Sequence, residues 1–202
     1  MKKYYALIDN GHGVNTAVKC APDKSILEYV YNRELAASIY ERLDKTDNIQ
    51  PILITPERND IPLSERVRRI NKYVDKYGAS NCIMISIHLN ASGNGQWMNA
   101  TGWEAYTTKG QNISDKLATV LYEEADKVLS QYNIKVRKNF DDGDSDKEAN
   151  FYIIRNSKCP AVLTENLYMD SHKDNEILLS TYGFNALTAI HVSAIKKWFL
   201  FK

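Results

Sequence analysis

Residues 82–88 read CIMISIH, an almost continuous apolar run that ends at a histidine. A strand with one face in water alternates apolar and polar residues, whereas a strand covered on both faces does not. The run therefore predicts a central strand with helices packed on both sides of the sheet. The histidine stands where open α/β sheets bind their ligands, beyond the carboxyl ends of the strands.

Strand and helix patterns alternate along the rest of the chain. Predicted strands cover 4–8, 51–55, 82–87, 102–107, 151–154 and 161–164, and predicted helices cover 32–43, 63–77, 114–132 and 184–198. We expect Ser114 to cap the third helix and Gly78 to end the second. The alternation predicts an α/β fold, in which a single domain over residues 1–202 has a mostly parallel central sheet of about six strands with helices on both faces.

Composition and charge indicate which kinds of binding partner and site the chain is expected to lack. The chain has 202 residues, a formal net charge of +1 and 44% hydrophobic residues, which is ordinary for a soluble globular protein. A nucleic-acid partner is not expected, because such proteins usually carry a strong basic excess. No stretch approaches the apolar length of a membrane span. The three cysteines are widely spaced, so neither a disulfide framework nor a cysteine zinc site is predicted.

Residues that can carry chemistry follow three of the predicted strands. The first strand runs into the turn that holds His12, the central strand ends at His88, and the 161–164 strand ends at Glu165. Glu28 adds a second carboxylate at the entrance of the first helix. Glycines flank His12 on both sides, and glycine tolerates positive φ and lets other groups come close. Either this is a tight turn that happens to carry His12, or the turn presents His12 to a ligand.

Two imidazoles and one carboxylate are a common protein ligand set for a catalytic zinc ion, which keeps an open position for water. Such a metal lowers the pKa of its water and polarises a carbonyl group. A second carboxylate can take the proton of the water and pass it to a leaving amine. The set predicts hydrolysis of an amide or ester, and it leaves open which glutamate binds the metal and which acts as base.

Each of these residues also has an ordinary structural interpretation. A lone histidine near a strand end usually makes loop hydrogen bonds, and Glu28 alone suits a solvated helix start. Asn90 either contacts substrate or orders its loop. His172, in a predicted polar loop, and His191, in the last helix, are expected to be structural. The segment 141–148, DDGDSDKE, alternates oxygen ligands like a calcium loop but lacks the spacing of an EF-hand, which favours a solvated loop.

Five segments carry a family resemblance along nearly the whole chain. They are LIDNGHG at 7–13, EYVYNRELA at 28–36, LITPERNDIPLSERVRRIN at 53–71, SIHLNAS at 86–92 and CPAVLTENLYMDSHKDNEILL at 159–179. In this order they resemble the D-x-G-H-G, E-x-x-x-N, L-x-x-R, S-I-H-x-N-A and P-A-V-L-x-E motifs of zinc-dependent N-acetylmuramoyl-L-alanine amidases of the amidase_3 type. That group includes bacterial cell-wall amidases and the catalytic domains of phage endolysins.

The resemblance implies both the ligands and the reaction. It assigns one zinc ion per chain to His12, Glu28 and His88, and it makes Glu165 the catalytic glutamate. Asn90 is a candidate substrate contact only from its position two residues after His88. The expected function is a peptidoglycan hydrolase that cleaves the amide between N-acetylmuramic acid and the L-alanine of the stem peptide. A zinc peptidase that acts on another amide, and a catalytically silent cell-wall-binding module, remain the alternatives.

The first residues, MKKYYALID, resemble the start of a signal peptide only in their two lysines. The apolar run is too short, ends in an aspartate and lacks a small-residue cleavage site. These residues are predicted to form the first strand instead. We therefore expect synthesis in the cytoplasm without a signal peptide, and action on the cell wall after release or helper-dependent export.

Overall fold

A computed structural model describes residues 3–141 and 143–200 of the chain, so Met1, Lys2 and Asp142 of the sequence predictions lie outside it. Its sheet contains six strands: β1 (Tyr4–Asn10), β2 (Ile49–Leu53), β3 (Cys82–Asn90), β4 (Glu104–Thr107), β5 (Lys147–Glu148) and β6 (Ala161–Tyr168). The strand order is β2-β1-β3-β6-β4-β5. All neighbouring strands are parallel except β4 and β6, which are antiparallel. The predicted mostly parallel sheet is confirmed.

Helices cover both faces of this sheet, as predicted. They are α1 (Glu28–Asp44), α2 (Leu63–Tyr77), α3 (Ile113–Leu129), α4 (Tyr152–Arg155), α5 (His172–Leu179) and α6 (Thr181–Leu200). Successive strand residues point to opposite faces, so Ile83 and Ile85 of β3 join one apolar cluster with α1, α3 and α6, while Met84 joins another with α2 and α4. None of the helices formed by the described residues is long and apolar enough to cross a membrane.

The ends of two helices test the capping predictions. Gly78 follows α2 at φ +89, and its N–H donates to the Val74 carbonyl at 2.8 Å, so the predicted helix end is confirmed. Ser114 is not the cap of α3. Asn112 caps it by accepting from the Ser114 N–H, and Asp115 completes a capping box. A helix start depends on which polar side chain reaches back to the free N–H groups, and the sequence offered several.

Three other local predictions were wrong. Residues 151–154 were predicted as a strand, but Tyr152–Arg155 form the short helix α4, because a four-residue apolar run does not distinguish a strand from one buried helical turn. His172, predicted to lie in a loop, begins α5. The segment predicted as a solvated loop contains the edge strand β5, and its Asp146 is buried.

His191 is fully buried in α6 and ties that helix to β6. A carbonyl oxygen can only accept, so His191 Nδ1 carries the proton that it donates to the Leu187 carbonyl at 2.8 Å. His191 Nε2 then accepts from the Thr164 hydroxyl at 3.0 Å. Burial lowers the pKa of His191 to about 4, so the ring is neutral at pH 7. The contact supports β6 one residue before Glu165.

Candidate active site

Three titratable side chains stand in one row across the sheet. His88 of β3 pairs in register with Glu165 of β6, and Glu165 pairs with Glu104 of β4. Residues directly opposite each other on neighbouring strands project to the same face. His88, Glu165 and Glu104 therefore share the face that α2 and α4 cover, at the carboxyl edge of β3 and β6. The strands extend past the predicted ends, so His88 and Glu165 lie within them.

Both histidines lie close to the same oxygen atom of Glu28. Its Oε1 lies 3.3 Å from His12 Nε2 and 3.2 Å from His88 Nδ1. The two imidazole rings are nearly perpendicular, with centroids 5.0 Å apart. One ligand atom from each of the three residues lies within 4.8 Å of the others, which is a spacing that could hold a metal ion. The structure thus brings His12, Glu28 and His88 together as the sequence predicted.

The first turn of α1 explains the E-x-x-x-N spacing of its sequence. Asn32 lies one helical turn after Glu28, and its Nδ2 is 3.4 Å from both Glu28 Oε1 and the Gly11 carbonyl. The N–H of Leu89 also donates to Glu28 Oε1, at 3.1 Å. The carboxylate of Glu28 is therefore held from both α1 and the end of β3, although its helix belongs to the opposite face of the sheet.

Gly11 and Gly13 are required because neighbouring groups approach them too closely to leave room for a side chain, and not because their backbone has positive φ. A Cβ at Gly11 would lie 2.2 Å from His88 Cε1, and a Cβ at Gly13 would lie 1.9 Å from the Asp60 nitrogen. Neither glycine has positive φ, whereas His12 itself adopts φ +64. Left-handed backbone is uncommon for a residue with a side chain, so surrounding contacts must hold the turn in place.

Arg66 links this turn to the segments around it. Its guanidinium is 2% exposed and donates to Asp9 Oδ1 at 2.8 Å, to Asp60 Oδ1 at 2.8 Å and to three backbone carbonyls, those of Asn10, Ile61 and His12. Asp9 is also buried, and its other oxygen accepts from the Ser86 hydroxyl at 2.7 Å. Arg33 adds a second bond to the His12 carbonyl, at 3.0 Å. Sequence reasoning had used the arginine of the L-x-x-R motif only for the resemblance.

The pKa values of the two glutamates of the site, Glu28 and Glu165, are shifted in opposite directions. Burial opposes ionisation of Glu28, but hydrogen bonds from His12 and His88 hold the pKa of its carboxyl below the usual range. Burial raises the pKa of Glu165 well above the usual range, and the negative charges of Glu28 and Glu104 act in the same direction, against Lys19. Glu28 is thus suited to bind a cation, and Glu165 is suited to hold a proton.

Glu104 is a residue of the site that sequence reasoning missed. Its Oε2 accepts from Lys147 Nζ at 2.5 Å and Arg137 Nε at 2.6 Å. Its Oε1 accepts from the side chains of Asn90, Tyr106 and Tyr168. These donors hold the pKa of Glu104 below the usual range although burial opposes ionisation. The available signal was a carboxylate inside the predicted strand 102–107, which must be paired if the strand is buried.

Two asparagines hold the backbone beside the row of His88, Glu165 and Glu104. Asn90 donates to Glu104 Oε1 at 2.7 Å, and its Oδ1 accepts from the Ala91 N–H, so its amide orders the start of the loop that follows β3. Substrate contact by Asn90 stays a prediction. Asn166 donates to the His88 carbonyl at 3.0 Å and accepts from Trp103 Nε1 at 2.9 Å. Asn166 therefore fixes the backbone of His88 from the neighbouring strand.

A cleft of about 400 Å³ opens beside His88 and Glu165 of this row. His12, His88 and Glu165 all line it, so Glu165 shares one cavity with both histidines that contact Glu28. Lys19, Phe151 and Tyr152 also line it, and the two aromatic side chains are 40% and 39% exposed. The cavity thus combines the two imidazoles that contact Glu28, a carboxyl group of raised pKa and two exposed aromatic side chains.

The sequence profile of one family, described as Amidase_3, N-acetylmuramoyl-L-alanine amidase, matches residues 6–197. The chain belongs to the Amidase_3 family. The match contains every residue of the row and of the triad, so the geometry above is that of an Amidase_3 domain. The resemblance predicted from the five segments is confirmed at the level of the family.

Relatives of this Amidase_3 chain include bacterial and phage proteins. It is 26% identical over 193 residues to the N-acetylmuramoyl-L-alanine amidase CwlM of Bacillus licheniformis, covering 95% of this chain and 67% of that protein. It is 31% identical over 125 residues to the endolysin of Bacillus phage SPP1, covering 60% of this chain and 39% of the endolysin. The crystal structure of an N-acetylmuramoyl-L-alanine amidase from Clostridium difficile 630 matches with a TM-score of 0.82 and 25% identity over 100% of both chains.

The Arg66 contacts predict a large loss of stability on their removal. We expect Arg66→Met to lower the free energy of unfolding by about 3–5 kcal/mol, because it leaves the buried Asp9 charge without its partner. Urea unfolding in the presence of a chelator measures this cost. Arg68→Met on the same helix is the control, since Arg68 is 67% exposed and its ion-pair partner is Glu65 of its own helix.

A second variant separates the lost ion pair from lost packing. Asp9→Asn combined with Arg66→Met should be more stable than Arg66→Met alone, because no buried charge remains unpaired. A cost for Arg66→Met no larger than that for Arg68→Met would contradict the anchoring role of Arg66.

Proposed function

We propose that the chain hydrolyses the amide bond between the lactyl group of N-acetylmuramic acid and the L-alanine of the peptidoglycan stem peptide. In this proposal His12, Glu28 and His88 hold one zinc ion, and Glu165 acts as general base and then as general acid. The observation that carries the proposal is the convergence of two imidazoles on one oxygen of Glu28, in the same cavity as Glu165. Membership of an amidase family supports the choice of bond.

The residues around Glu28 fit a zinc ion. Two imidazole nitrogens and one carboxylate are a usual protein ligand set for catalytic zinc. The second oxygen of Glu28, Oε2, is buried and has no hydrogen-bond partner among residues 3–141 and 143–200. A buried carboxylate oxygen without a donor is costly unless a cation compensates it. This orphaned atom supports the assignment of a metal to the triad.

When bound, zinc supplies a Lewis acid that lowers the pKa of a water molecule and polarises the scissile carbonyl group. The remaining steps belong to the side chains. Glu165 lies in the same cavity, and its buried Oε2 has no donor among the described residues. In the proposal Glu165 takes the proton of the attacking water at a carboxylate oxygen and gives it to the nitrogen of the departing alanine.

Glu165 must be ionised before it can accept a proton, and the neighbouring charges control this. Lys19 lowers its pKa against the effects of burial, Glu28 and Glu104. A cation held by Glu28 acts in the same direction as Lys19, because an opposite charge nearby favours the carboxylate. Lys147 and Arg137 keep Glu104 paired, which limits its repulsion of Glu165.

The cleft walls suit a glycopeptide. Phe151 and Tyr152 present aromatic surface that can pack on the apolar face of a sugar ring or on peptide. Lys19 places a positive charge at the same cavity, where it can pair with a carboxylate of the stem peptide. These three residues are our candidates for substrate positioning.

Because Gly11 lies close to the His88 ring, we predict that a side chain at position 11 weakens metal binding. Gly11→Ala should lower zinc affinity roughly 10–100-fold, because the new Cβ would overlap the His88 ring and displace a ligand. Competition with a zinc-binding dye measures the affinity, and elemental analysis should find about one zinc per wild-type chain.

Gly93→Ala is the matched control for that experiment. Its Cβ would meet Met98 Cγ at 2.6 Å, and Met98 is a flexible side chain that can move. We expect zinc affinity to be unchanged there and the circular dichroism of both variants to match wild type. Unchanged zinc affinity in a folded Gly11→Ala protein would argue against His88 as a ligand.

The role of Glu165 is tested by Glu165→Gln, which keeps the size of the side chain but cannot take the proton. We expect turnover on purified sacculi to fall about 10²–10⁴-fold while zinc content is retained. Turnover is measured as release of new N-terminal alanine, and wild type should create no reducing sugar ends.

Glu176→Gln, an exposed change on α5, is the control and should leave turnover unaffected. Near-normal turnover by Glu165→Gln would show that Glu165 is not the base. New amino termini other than alanine from the wild type would favour a peptidase. Binding to sacculi without any release would favour a binding module.

A further inference from the structure

A second group of carboxylates lies outside the cleft, where residues 144–146 approach the start of α3. Asp115 comes from the first turn of α3, and Asp144 and Asp146 come from the loop before β5. One carboxylate oxygen of each lies within 4.8 Å of the other two. No residue of the cleft belongs to this group.

Two of these aspartates contain buried oxygens without donors. Asp146 is 2% exposed, and its Oδ2 accepts from the Thr107 hydroxyl at 2.6 Å. Its Oδ1 is buried and has no hydrogen-bond partner within the described part of the chain, and the same holds for Asp144 Oδ1. In that part of the chain, neither Asp144 nor Asp146 forms an ion pair with a lysine or arginine.

Such an arrangement is unfavourable without a compensating positive charge. Buried carboxylate oxygens are normally hydrogen-bonded, paired with a cation or bound to a metal. One oxygen from each of the three carboxylates lies within 4.8 Å of the other two, a spacing that could hold a metal ion and at which ionised carboxylates repel one another.

We propose that Asp144 and Asp146, together with Asp115, form a second metal site that binds a hard divalent cation, Ca²⁺, and is separate from the zinc site. The donors are all oxygens, which suits calcium and magnesium, whereas zinc prefers nitrogen and sulfur ligands. Asp144 and Asp146 come from the bend before β5, and Asp115 comes from the first turn of α3. Asp146 Oδ1 carries the assignment, since it is buried, without a donor and beside Asp144.

The position of this site gives it a structural consequence. Asp146 immediately precedes Lys147, the first residue of β5, whose Nζ contacts Glu104 Oε2. Glu104 pairs in register with Glu165. A cation that joins the loop to α3 would therefore hold β5 and Lys147 in the place that the row of charges requires.

The first measurement uses the whole chain, freed of metal and then supplied with one equivalent of zinc. Thermal unfolding is followed in about 10 mM CaCl₂, about 100-fold above a Kd of about 10⁻⁴ M, and compared with NaCl of matched ionic strength. We expect calcium to raise the midpoint by about 5–10 °C over that NaCl control. A second arm replaces calcium by magnesium, which should shift the midpoint less.

The variant Asp144→Asn/Asp146→Asn removes the ligands and should lose this response. Without calcium it should be at least as stable as wild type, because neutral amides remove the repulsion between buried carboxylates. Asp47→Asn/Asp141→Asn removes the same net charge from exposed positions and should keep the full response.

Terbium luminescence provides a measurement that does not require the variant to fold. Wild-type protein excited through its aromatic residues should sensitise bound Tb³⁺, and Ca²⁺ should displace it with a stoichiometry of about one per chain. Absence of a calcium shift beyond the NaCl control would overturn the proposal. An equal shift in the Asp144→Asn/Asp146→Asn protein, or a shift with magnesium as large as the shift with calcium, would also overturn it.

Discussion

The buried pair of Arg66 and Asp9 is the constraint on which the rest of the site depends. Arg66 belongs to α2, yet its guanidinium binds the end of β1, the His12 turn and the Asp60 loop. A buried charge is tolerated only with a partner and further hydrogen bonds, so these segments have one compatible arrangement. That arrangement holds His12 at φ +64 and directs its ring toward Glu28.

The other carboxylates near this edge of the sheet also need neighbours that compensate their charge. Asp9, Glu28, Glu165 and Glu104 all lie close to the carboxyl edge, and each has a different neighbour to stabilise it. Arginine pairs with Asp9, imidazoles contact Glu28, and lysine, arginine and tyrosines contact Glu104. Glu165 has the least compensation, and its pKa is raised accordingly. The carboxylate with the weakest pairing is the one to which we assign proton transfer.

Sequence reasoning recovered the sheet and the residues at its edge because both depend on local patterns. An unbroken apolar run identified β3, and His12, Glu28 and His88 followed from where strands and helices begin and end. It failed where tertiary contacts decide the outcome. The run at 151–154 became a helical turn, and Glu104 acquired its importance only when β4 paired with β6. Asp146 is buried and accepts a hydrogen bond from Thr107 of β4, a tertiary contact that spacing alone did not indicate.

The central claim is that water attacks the lactyl carbonyl carbon of N-acetylmuramic acid and releases the amine of L-alanine. In the most direct measurement, the protein digests purified sacculi in water labelled with oxygen-18, and mass spectrometry locates the heavy oxygen in the products. Our account predicts the label in the lactyl carboxylate and an unlabelled stem peptide that begins with a free L-alanine amine. Heavy oxygen in a carboxyl group of the stem peptide, or at a reducing sugar end, would contradict it.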